Sequence, residues 1–156
     1  MKCELPGATM LRLKDIMTTD LATATPDMTL RAAITMLADN HVGGCPVLEA
    51  SKVVGVFSAT DLLTYITDLN DGPPSDSLRH RRTSLEDVTV SEIMTRDLKS
   101  LAPNCSVEQA AEFMRRNQIH RVLVMEGSKL VGIVTTTDVA KAVAQHRLHT
   151  NTYVFS

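Results

Sequence analysis

The sequence predicts an α+β fold: two β-α-β-β-α halves packed together with pseudo-two-fold symmetry. Three observations predict it. A shift of 77 residues lays "DIMTTDLATATPDMTLRAAITMLADN" over "EIMTRDLKSLAPNCSVEQAAEFMRRN", then "HVGGCPVLEASKVVGVFSATDLL" over "QIHRVLVMEGSKLVGIVTTTDVA", without a gap and with about a third of positions identical. Two copies are too few for a solenoid, so they read as paired half-domains. Within each copy the apolar pattern runs strand, helix, strand, strand, helix. The totals also fit, because 156 residues with 44% hydrophobic and 22% charged side chains suit two small halves sharing a core.

Each copy opens on a short strand, Leu21 to Thr25 and Leu98 to Ala102, closed by Pro26 and Pro103. Leu30, Ala33, Ile34 and Leu37 then fall at helical spacing, as do Val107, Ala110, Ala111 and Met114. Thr29 and Ser106 are the expected N-caps, and Ser106 with Gln109 fits a capping box. The runs "CPVLE" and "VVGVFS", and "RVLVME" and "LVGIVT", read as hairpins joined by short turns. Thr60 and Thr137 stand where caps belong before "DLLTYITDL" and "DVAKAVAQH". The division expected is an N-terminal segment 1–13, a first repeat 14–69, a linker 70–87, a second repeat 88–147 and a tail 148–156. The linker holds Gly, Pro, Ser and the basic run "RHRRTS", which reads as an exposed connection. The tail carries Tyr153, Val154 and Phe155, apolar enough to dock on its own chain or on a partner.

Composition excludes several classes of function. The formal net charge is -2, there is no Trp, and aromatics make up 3%, so neither a basic footprint nor a stacking platform for nucleic acid is present. No stretch reaches the roughly 18 apolar residues of a membrane span, and the start lacks a signal-peptide pattern. A cytoplasmic protein is expected. Cys3, Cys45 and Cys105 are widely spaced and read as idle thiols rather than a zinc or disulfide framework. His146 and His149 do not form a metal pattern, and no catalytic triad or carboxylate pair emerges, so no metal and no enzyme are expected.

The chemistry concentrates in "GIVTTTD" and its echo "GVFSATD". Thr135, Thr137 and Asp138 place two hydroxyls and a carboxylate at the mouth of a helix. A cap with a favourable dipole charge explains that grouping by itself. A carboxylate is also a pure acceptor, suited to adjacent hydroxyl donors such as a ribose diol. In the second copy His120 and Arg121 begin the strand that pairs beside Thr135, so a guanidinium fork suited to phosphate would converge on the same place. Ile119, Val122 and Ile133 would add an aliphatic slot. In the first copy Ser58, Thr60 and Asp61 remain, but Gly43 and Gly44 replace the basic pair, leaving a weaker or empty site.

The doubled "IMT…P…L…A…PV…VG…S/T-x-T-D" pattern resembles the cystathionine-β-synthase (CBS) domain in tandem, over roughly Lys14 to Ala144. The resemblance implies a stand-alone regulatory module that dimerises and senses a ligand held between its repeats. It implies AMP, ADP or ATP as ligand, no required cofactor, and an effector protein that responds to it. An S-adenosylmethionine sensor and a ligand-free dimerisation scaffold are the alternatives. Carried onto this chain, it places nucleotide contacts at Ser100, Asn117, Ile119, His120, Arg121, Ile133, Thr135, Thr137 and Asp138. A weaker second site falls at Thr23, Val42, Cys45, Ser58, Thr60 and Asp61. One departure from the pattern is Leu123, which stands where Pro46 keeps the family's proline in the first copy.

Overall fold

A computed structural model describes residues 11–70 and 85–145. The run at 79–84, His146, His149, Cys3 and the tail residues Tyr153 to Phe155 lie outside that range. The elements in order are α1 (Leu13–Ile16), α2 (Leu30–Asp39), β1 (Gly44–Glu49), β2 (Lys52–Ser58), α3 (Ala59–Asn70), α4 (Val90–Ile93), β3 (Ser100–Leu101), α5 (Val107–Asn117), β4 (Arg121–Glu126), β5 (Lys129–Thr135) and α6 (Thr136–Ala144). Among the described residues no helix is long and apolar enough to cross a membrane.

Two of the expected caps form as read. Thr29 Oγ1 accepts from the Ala32 amide at 3.1 Å. Ser106 Oγ accepts from the Gln109 amide at 3.1 Å, while Gln109 Oε1 accepts from the Ser106 amide at 2.9 Å. Each cap satisfies orphan amides of a first helical turn. The helices behind them bury Leu30, Ala33 and Leu37, and Val107, Ala110 and Met114. The caps expected at Thr60 and Thr137 are corrected. α3 and α6 begin earlier, at Ala59 and Thr136, and Thr135 caps α6. The reason is the acid three residues beyond the true cap, which completes a capping box only from Ser58 and Thr135.

The hairpins pair antiparallel with Gly44 opposite Ser58 and Arg121 opposite Thr135, each with one irregularity, at Val47/Leu48 and Val124/Met125. Ahead of them the two expected short strands part company. Ser100 and Leu101 form β3, parallel to β4, whereas Leu21 to Thr25 is reduced to one bridge, Ala24 to Val47. Pro46 accounts for the difference. The Leu123 amide donates to Lys99 O at 3.0 Å, and Pro46, at the equivalent position, has no N–H to offer.

The described residues divide into two compact units. One is contiguous, Ala22–Leu98, and the other joins Met1–Leu21 to Lys99–Ser156. The core of the first contains Leu30, Val47 and Phe57 together with Val88, Val90 and Met94 from beyond the linker. That of the second contains Val107, Val122, Val124 and Val134 together with Leu13 from the start of the chain. The sequence repeats and the compact units are therefore cut in different places, because the leading "IMT" segment of each repeat packs on the hairpin of the other. Met94 and Thr95 lie over Gly55, and the backbones of Thr95 and Val56 exchange two hydrogen bonds of 2.8 Å. Met17 and Thr18 lie over Gly132 in the same way, with Thr18 and Ile133 exchanging bonds of 2.9 and 3.0 Å. A Cβ on Gly132 would stand 2.7 Å from Met17 Sδ, so the methionine would have to shift, and 3.0 Å from Thr18 O, tighter than nine in ten such contacts, so glycine favours this close approach.

Cys45 keeps its thiol and is buried in the contiguous unit. Cys105 corrects the expectation of idle thiols. It is disulfide-bonded.

The turn between β1 and β2 holds Ala50 and Ser51 at φ 51° and 66°. These left-handed values suit Asn-Gly far better than a residue with an ordinary side chain, and Ala at such a φ costs about 1 kcal/mol or more. Replacing Ala50-Ser51 with Asn-Gly is expected to raise Tm by about 2–6 °C, measured by thermal unfolding.

Candidate functional site

The site is built on the three-stranded sheet β3-β4-β5. Val122, Val124 and Val134 point into the core beneath α5. Strand alternation then places Arg121, Leu123, Ile133 and Thr135 on the opposite face. The register sets Arg121 against Thr135 and Leu123 against both Ile133 and Ser100. Ser100, Arg121, Ile133 and Thr135, distant in sequence, thus share one face. Ile133 is buried and Ser100 is exposed.

At the end of that face β5 runs directly into α6. Asp138 Oδ2 accepts from the Thr135 amide at 2.8 Å and from Thr135 Oγ1 at 3.1 Å, while Thr135 Oγ1 accepts from the Asp138 amide at 3.2 Å. The hydroxyl-x-x-acid signature is therefore first a reciprocal cap. One oxygen of Asp138 makes the cap, and among the described residues no donor reaches the other, Oδ1. A half-buried carboxylate with a vacant acceptor at a helix N-terminus can bind a donor pair.

Other expected site residues are placed elsewhere. Ile119 packs against the core cluster. Asn117 Nδ2 donates to Phe113 O at 2.8 Å, closing its own helix. Thr137 is exposed in the first turn of α6. His120 holds the α6 start through its carbonyl, which accepts from the Thr136 amide at 2.9 Å. It also lines a concavity of about 430 Å³ with Met114, Arg115, Gln118, Ile119 and Thr136, on the helical side of the sheet. His120 and Arg121, read as one basic pair, therefore belong to different surroundings. At the rim of the concavity Arg115 Nη2 donates to Glu112 Oε1 at 2.6 Å. That hydrogen bond, ahead of the charge attraction, holds the Glu112 carboxyl below the usual carboxylate range.

The contiguous unit repeats the cap. Asp61 Oδ2 accepts from the Ser58 amide at 2.8 Å and from Ser58 Oγ at 3.2 Å. Gly43 O accepts from the Ala59 amide at 2.9 Å, as His120 O does from Thr136. Cys45 lies in the core, opposite Phe57, and does not line this mouth. Thr23, Val42 and Thr60 are exposed. One residue at this mouth was missed from the sequence. Thr95 Oγ1 donates to Asp61 Oδ1 at 3.0 Å across 34 residues of chain. The paired "IMT" motifs were the available signal, but nothing in them says which hairpin each motif joins.

Repeated units of this topology, each ending in a hydroxyl-x-x-acid cap, define a tandem-repeat module. The domain model described as "CBS domain" matches residues 13–68 and 90–145, and the chain belongs to the CBS-domain family. It is 33% identical over 132 residues to the CBS domain-containing protein YhcV of Bacillus subtilis, covering 84% of each chain. Among solved structures it is similar to CBSX2 in complex with AMP, with a TM-score of 0.71 and 26% identity over 88% of this chain and 98% of that one. The CBS domain pair of MJ0100 from a complex with 5'-methylthioadenosine and S-adenosyl-L-methionine shares the fold, with a TM-score of 0.72 and 22% identity over the same shares of the two chains.

Proposed function

We propose that this chain is a regulatory ligand-sensing module, not an enzyme, and that its second repeat binds an adenine nucleotide of the AMP, ADP or ATP type. The observation that carries the reading is Asp138. Its Oδ2 is held by the cap and its Oδ1 is open, beside a sheet face that presents Arg121, Ile133 and Ser100. The open oxygen would accept from the ribose hydroxyls, Arg121 would donate to phosphate, and Ile133 would supply an apolar wall. The AMP complex of CBSX2, a relative of similar length, supports the choice of ligand.

Signalling would pass through a homodimer to an effector protein. Ile66 and Val143, equivalent positions on the last helix of each repeat, are 42% and 37% exposed, and each leaves an apolar side chain on its own unit for a second copy to cover. Coupling of this kind requires that nucleotide bind two states of the assembly unequally.

Calorimetry of the full chain with AMP, ADP, ATP and S-adenosylmethionine tests the reading. The expected result is one equivalent of an adenine nucleotide bound and, at about 100 times Kd, roughly 2.7 kcal/mol of added stability seen as a raised Tm. Absence of both heat and Tm shift for every nucleotide overturns it.

A further inference from the structure

We infer that Thr95 determines which repeat accepts a ribose diol, by occupying the one acceptor of Asp61 that a ligand would otherwise use. The inference rests on the nucleotide reading of Asp138. The two carboxylates are held alike, each with Oδ2 accepting the amide and hydroxyl of its cap residue. They differ at Oδ1. Thr95 Oγ1 donates to Asp61 Oδ1 at 3.0 Å. Thr18 occupies the equivalent position in the other unit, with the same backbone pairing to its strand, yet among the described residues no hydrogen bond joins it to Asp138.

Thr95 thus stands in for a sugar hydroxyl, with the same donor type on the same acceptor. Its backbone is already fixed on Val56 through two hydrogen bonds, so the contact needs no loss of translational freedom. A ribose arriving at Asp61 must displace it. Gly43 and Gly44 offer no side-chain donors to a phosphate that would offset the displacement.

Calorimetric titration of the wild-type chain and of Thr95→Val with AMP and with adenosine tests this. Valine keeps the shape and lacks the hydroxyl, and the pairing of residue 95 with Val56 uses the backbone alone. The expected change is in stoichiometry, from one equivalent in the wild type to two in Thr95→Val. The added equivalent takes adenosine and AMP alike, whereas the original one favours AMP. Thr95→Ser, which keeps the hydroxyl, stays at one, and Thr95→Ala provides a second route should valine unfold the chain. One equivalent in wild type, valine and alanine variants alike overturns the inference and leaves the Asp138 reading standing, as does a wild type that already binds two. A wild type that binds neither ligand overturns both.

Discussion

Asp138→Asn is expected to lower affinity for AMP by about 10- to 100-fold while leaving the protein folded. A charge-assisted hydrogen bond is worth about 1.5–3 kcal/mol, and the change removes the negative acceptor facing the ribose. The amide can keep its carbonyl oxygen on the Thr135 amide, where Oδ2 now sits at 2.8 Å, and turn its NH2 toward the ligand. Asp138→Ala removes both functions at once. It should lose the ligand and also the capping box, with a stability cost of about 1–2 kcal/mol. The comparison separates the two roles of the residue, because a cap alone would leave Asp138→Asn binding AMP as the wild type does. Arg121→Ala complements it by weakening AMP more than adenosine, since a guanidinium opposite Thr135 would contact phosphate and not the nucleoside. Equal loss for both ligands would remove Arg121 from the phosphate site.

A fragment of residues 22–98 is expected to fold and unfold cooperatively, while a fragment of residues 14–69, the first repeat as the sequence delimits it, is not. Residues 14–69 lack Val88, Val90 and Met94, whose exposures in the unit are 1%, 0% and 8%. Losing three such side chains removes about 5–8 kcal/mol of burial, comparable to the whole stability of a small domain. The backbone loses partners as well. Leu30 donates to Val88 O at 2.8 Å, Val90 donates to Met28 O at 2.9 Å, and the Thr95–Val56 pair covers the edge of β2. Circular dichroism melts and amide chemical-shift dispersion of the two fragments decide the matter. A shorter fragment as stable as the longer one would mean that the α4 segment is an accessory.

The repeat, the caps at Thr29 and Ser106, and the pairing of Arg121 with Thr135 were legible because each depends on neighbours in sequence or on a single hairpin. A sequence reading sets the caps of α3 and α6 two residues late because two hydroxyls, Ser58 and Thr60, and three, Thr135 to Thr137, offer competing caps, and the acid three residues beyond the true cap decides among them. Loss of the first strand followed from one missing N–H at Pro46, legible only once its register partner was known. The interchange of the "IMT" segments was hidden for a different reason. Both segments are apolar alike and both hairpins carry a glycine to receive them, so local pattern does not distinguish packing on one's own repeat from packing on the other. The Thr95–Asp61 contact inherits that ambiguity. The site as read from sequence is thus divided by the structure. Ser100, Arg121, Ile133, Thr135 and Asp138 gather at one end of the sheet, while Asn117, Ile119 and His120 serve the helical side.

The glycines beneath Met17 and Met94 also set an order of events on the ribosome. The contiguous unit has all its parts once residue 98 has emerged, but Leu13 and Met17 must await Gly132 and the hairpin around it. At roughly 5–20 residues per second that delay lasts several seconds. Before Met94 emerges, Gly55 offers the leading segment a receiver of the same shape in its own repeat. Synthesis therefore opens a brief competition between two nearly identical docking events, and the later, more distant one must win.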